Sequence, residues 1–138
     1  MTFFGQIRTV CKQYPDLGID GFIAILPNNQ QDLLERANDI SLVVDWLNGI
    51  DKTKTITKKC GSSQVMKRTV ELESTNLKIT NGIFIVGAII AGFKFVRSHD
   101  GTGPNAYFNI SCTSMARKLG KCLPFETGYS ARSLAKEI

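Results

Sequence analysis

From Ile83 to Phe93 the chain runs IFIVGAIIAGF, eleven residues with no charge and no hydrogen-bonding side chain. Crossing a bilayer takes roughly 20 apolar residues, so a run of this length is expected to be a core helix. It is apolar on every side, which places it inside the protein rather than on its surface. Thr80 or Asn81 can cap its start and Gly92 can stop it. The rest of the fold has to be arranged around that helix.

The flanking patterns suggest how. Ser62-Ser63 can cap a preceding helix through Val65, Met66, Val70 and Leu72, which Thr75-Asn76-Leu77-Lys78 then breaks. After Gly92, Phe93-Lys94-Phe95-Val96-Arg97 alternates as a strand does. His99 to Pro104 is rich in turn residues, and Ala106 to Ile110 alternates again, so the two runs make a β-hairpin. Towards the N-terminus, Thr2 to Tyr14 reads as an amphipathic helix ended by Pro15, and Asp16 to Gly21 as a turn. Phe22 to Leu26 is a short apolar run of either type. Pro27-Asn28-Asn29 then opens one long helix on which Leu33, Ala37, Ile40, Val44 and Leu47 form a stripe, with Trp46 as a core anchor. Asp51 to Gly61 is an exposed loop or a basic edge strand. Short helices from Thr113 to Leu119 and from Ser130 to Ile138 complete the chain.

The expected class is therefore α+β, mainly α-helical, with helix, turn, helix and hairpin in winged-helix-like order. At 138 residues, with no linker composition and no internal repeat, one compact domain over 1–138 is expected. The segment MTFFGQIRTVCKQYPD lacks the order of a signal peptide, since Arg8 and Lys12 lie inside it, so a cytoplasmic chain with no membrane association is expected. Cys11, Cys60, Cys112 and Cys122 form no closely spaced pair, and the single histidine, His99, has no cysteine at ligand spacing. That pattern predicts reduced, buried thiols with no disulfide framework, no metal and no cofactor.

Charge divides the chain. Residues 1–51 carry three basic side chains against seven acidic ones, a net −4, whereas residues 52–138 carry fourteen against five, a net +9. Basic groups concentrated in this way attract phosphate backbones. The acidic segment could also fold back and neutralise them. Helix, turn, helix, hairpin is the order of a DNA-binding winged helix, but a recognition helix must present polar groups to base edges. The apolar helix cannot do so, which leaves its start and the hairpin. The candidate contacts are Lys58, Lys59, Lys67, Arg68, Lys78, Asn81, Lys94 and Arg97.

The stretch Ile79-Thr80-Asn81-Gly82 through Gly92-Phe93, with Gly103-Pro104-Asn105-Ala106-Tyr107-Phe108-Asn109-Ile110, is similar to small uncharacterised proteins carried by plasmids and phages. The resemblance covers residues 79–110 and carries over no functional residue. It implies a mobile-element origin, and with it an alternative role: binding and inhibiting a host defence or regulatory complex.

No P-loop, G-x-G-x-x-G, H-E-x-x-H or G-x-S-x-G occurs. Gly101-Thr102-Gly103 reads as a hairpin tip, and His99 beside Asp100 as a solvated surface residue. The sequence thus favours a non-enzymatic regulatory or accessory protein that contacts DNA or RNA through phosphates. Its competitor is a protein that binds an acidic protein or ribonucleoprotein partner.

Overall fold

A computed structural model describes residues 2–22, 29–73 and 78–119 of the chain. Helix α1 (Phe3–Gln13) is capped by Thr2, whose hydroxyl accepts from the Gly5 amide, and it buries Ile7, Val10 and Cys11. Strands β1 (Leu17–Gly18) and β2 (Gly21–Phe22) form a minimal antiparallel pair inside the segment expected to be only a turn. Helices α2 (Asn29–Glu35) and α3 (Ala37–Leu47) follow, then α4 (Ser63–Glu73), α5 (Asn81–Ile90), β3 (Phe95–Arg97), the single turn α6 (Ser98–Gly101), β4 (Ala106–Phe108) and α7 (Cys112–Leu119). The class is α+β and mostly helical, with two small antiparallel sheets. The segment 130–138 expected to be helical lies outside the described residues, as does most of the apolar run 22–26.

Helix α5 is the centre of the molecule. Every residue from Asn81 to Ala88 is buried, and the Thr80 hydroxyl caps the start by accepting from the Ile83 amide. Its longest shared face is with α3, where Ile40, Val43 and Leu47 are fully buried. Gly87 permits that approach, since a Cβ there would press on Val43. At the other end Gly82 lies directly against the Gly18 carbonyl, and its own amide donates to Ile19 O at 3.0 Å. Any side chain at 82 would push β1 off α5.

Two expectations are corrected. The single helix over the Leu33–Leu47 stripe is broken at Arg36, whose φ of −105° and ψ of 27° leave the helical region. There the guanidinium donates to the Lys78 carbonyl and to Asp39, a tertiary tie that periodicity does not reveal. The second correction concerns the thiols. Cys60 and Cys112, fifty-two residues apart, form a disulfide with their Cα atoms 5.5 Å from each other. The fold brings the end of the basic loop to the start of α7, and spacing along the sequence carries no sign of that approach. Cys11 is free and buried.

The hairpin matches its expectation: Phe95 pairs with Phe108, Val96 with Tyr107 and Arg97 with Ala106. Its underside is aromatic. Phe95 stands 5.7 Å from Phe22, 5.3 Å from Tyr14 and 6.0 Å from Phe108, and Phe108 meets Phe84 of α5 at 5.9 Å. These contacts fix the hairpin to the core and set its other face outward.

Candidate functional site

The basic loop after α3 does not wander. Lys52 forms an antiparallel bridge with Ile110, and the amides of Thr53 and Thr57 donate to the carbonyls of Asn109 and Phe108. Residues 52–57 thus run along the free edge of β4, with Lys residues at the edge as the alternation K-T-K-T suggests. Asn109, 3% exposed, joins this segment to β3. Its side-chain Nδ2 donates to Thr53 O at 3.0 Å while its Oδ1 accepts from the Lys94 amide at 2.7 Å. The Cys60–Cys112 disulfide anchors the far end of the loop.

The result is a row of five exposed lysines: Lys52, Lys54, Lys58, Lys59 and Lys94. Among the described residues none of them has a carboxylate partner. Two place their ammonium groups over aromatic rings, with Lys52 Nζ 4.6 Å from the Phe93 centroid and Lys58 Nζ 5.2 Å from that of Tyr107. Such a contact orders the side chain and leaves the outer side of the ammonium open to water. The backbone of the segment and the side chains of Lys52 and Lys58 are therefore held in place before any ligand arrives.

The remaining candidates are committed elsewhere. Asn81 is 6% exposed and is bonded on all sides: its Oδ1 accepts from Ser63 Oγ, and its Nδ2 faces Asn105 Oδ1 and the carbonyls of Pro104 and Asp20. It ties α4, α5, the β1–β2 turn and the hairpin together, and no face of it reaches solvent. Arg97 pairs with Asp16, donates to the carbonyls of Thr102 and Gly103, and lies over the Phe22 ring at 4.6 Å. Here the acidic segment does fold back and neutralise a basic group. Lys67 is engaged by Glu71 at 3.3 Å, one turn along α4. Arg68 and Lys78 are exposed, on α4 and on the approach to α5, and stand outside the row. Lys52 and Lys54 were not among the sequence candidates; their alternation with Thr53 and Thr55 was the available signal.

Beside the row, the hairpin tip borders an open cleft of about 530 Å³ lined by Lys58, Phe95, Val96, Arg97, Ser98, His99, Asp100, Gly101 and Tyr107. His99 and Asp100 sit at φ 52° and 55°, a left-handed conformation to which His and Asp are better suited than most residues. Neither Cys112, which is bonded to Cys60, nor Cys11 faces this cleft; burial pushes the Cys11 thiol up from 9.0. Among the described residues no group of His, Cys, Asp and Glu could hold a metal ion, and no helix is long and apolar enough to cross a membrane. No family model matches the chain, and neither does a curated protein or a solved structure.

Proposed function

We propose that this chain is a small, non-enzymatic, basic regulatory or accessory protein that holds nucleic acid by its phosphates along the lysine row. The observation that carries the proposal is the row itself. Five exposed lysines without carboxylate partners among the described residues stand on backbone that is held by Asn109, the Lys52–Ile110 bridge and the Cys60–Cys112 disulfide. Preorganised cations release counterions from a phosphate backbone without first losing side-chain and loop entropy. Helix α5 is enclosed by the core and has no role in a groove. Contact is therefore through the hairpin edge, and it reads phosphates rather than base pairs.

The test is the affinity of the full chain for a labelled oligonucleotide as salt is varied. Five phosphate contacts predict that log K falls with log salt at a slope of about −4. No binding to DNA or RNA at low salt overturns the proposal. So does recovery of one stoichiometric protein partner whose association survives nuclease.

A further inference from the structure

We infer that the cleft at the hairpin tip receives one unstacked base of a single-stranded nucleic acid whose phosphates lie on the lysine row. This deepens the proposed function and rests on it.

The cleft and the row share a residue. Lys58 belongs to the row, and it also lines the cleft with its Nζ over the Tyr107 ring. A strand following the lysines is thereby led to the cleft mouth. The lining inside is of mixed character. Val96 and Tyr107 supply apolar surface, while His99 and Asp100 supply hydrogen-bonding groups. Val96 is 47% exposed and stands opposite Tyr107 of β4, whose ring lies under the Lys58 ammonium, so an apolar spot opens beside the lysines. A nucleobase has the matching chemistry: a flat apolar face, a polar edge and an anionic tether.

Size agrees, since about 530 Å³ lies within the roughly 300–1,000 Å³ of ordinary ligand pockets. The tip is also shaped for this. His99, Asp100 and Gly101 are three consecutive residues at positive φ, and their turn is closed by the Gly103 amide donating to Ser98 O at 2.8 Å. That geometry holds the imidazole-bearing turn as one wall of the cleft. In a duplex, base faces are stacked and edges are paired, so the same cleft would have to extract a base first. A single strand offers both freely, and base stacking on side chains adds affinity with little dependence on sequence.

The probes are labelled oligothymidylate and oligoadenylate of roughly ten nucleotides, their duplex, and nucleoside 5′-monophosphates. The single strands are expected to bind the full chain about tenfold or more tighter than the duplex at equal salt. The double variant Val96→Ser, His99→Asn keeps a residue suited to the left-handed position and removes both the apolar face and the ring. It is expected to lose that preference while binding the duplex as before. Equal affinity for single strand and duplex, unaltered by the variant, overturns the cleft assignment and leaves the lysine row standing. Monophosphate binding that rivals the oligonucleotides also overturns it, since the cleft would then serve a free nucleotide. If no oligonucleotide binds at any salt, the proposed function itself falls, and this inference falls with it.

Discussion

At the start of α5, four polar partners converge on the Asn81 amide, which is 6% exposed; beside β4, five ammonium groups stand in solvent with no carboxylate partner among the described residues. Both regions are polar, both lie close to the hairpin, and each holds residues that the sequence offers as candidate contacts. What separates them is the disposition of their hydrogen-bonding capacity. The amide spends all of it inside the protein, where an unmade bond costs far more than a made one contributes. The lysines keep theirs for solvent or a ligand; their backbone is tied down, and of the ammonium groups only those of Lys52 and Lys58 rest on rings. A polar residue that holds the fold and one that meets a partner are thus distinguished by burial and partners, not by residue type.

Mutation can break that contrast in graded steps. The largest effect is expected from the disulfide. Replacing Cys60 and Cys112 by Ala, or reducing the bond, frees a loop of fifty-two residues and should lower the unfolding free energy by about 4 kcal/mol, read from urea denaturation with and without reductant. Next comes the node. Asn81→Ala leaves Asn105 Oδ1 and the Asp20 carbonyl unpaired, at about 1–3 kcal/mol for each, while Ser63 Oγ and the Pro104 carbonyl keep the amides of Ala106 and Phe22, so a loss near 3 kcal/mol is expected. Binding by the fraction still folded should be unchanged.

Smaller effects follow. Arg97→Ala removes a partly exposed ion pair with Asp16 and the contact over Phe22, for about 1 kcal/mol in the same denaturation assay. Changing all five row lysines to Gln should lower stability by no more than about 1 kcal/mol, the worth of the two ammonium–ring contacts of Lys52 with Phe93 and Lys58 with Tyr107, since none of the five has a carboxylate partner among the described residues. A large loss there would mean the row is part of the fold, and the contrast would collapse.

How far the sequence revealed this is best judged residue by residue. The core helix was legible because no other environment suits IFIVGAIIAGF, and its Thr80 cap and its end at Ile90 follow from local chemistry. The hairpin was legible from its alternation and turn residues, and α7 from its ends. The break at Arg36 was hidden, since it depends on the Lys78 carbonyl forty-two residues away. The Cys60–Cys112 bond was hidden for the same reason. Of the site, the clustering of lysines was visible, but not which of them are engaged. Arg97 looks like Lys94 in sequence; only folding brings Asp16 to one of them. Asn81, Gly82, Pro104 and Asn105 stood out together, and they meet in the buried node rather than at a ligand.

The most direct measurement is the salt dependence of oligonucleotide affinity for three proteins side by side: the unaltered chain, the variant with Lys52, Lys54, Lys58, Lys59 and Lys94 changed to Gln, and a control with Lys67, Arg68 and Lys78 changed to Gln. The lysine row as the binding edge predicts a slope of about −4 for the unaltered chain and for the control, and a slope close to zero for the row variant. Equal slopes for the row variant and the unaltered chain, or a slope lost only in the control, would contradict it.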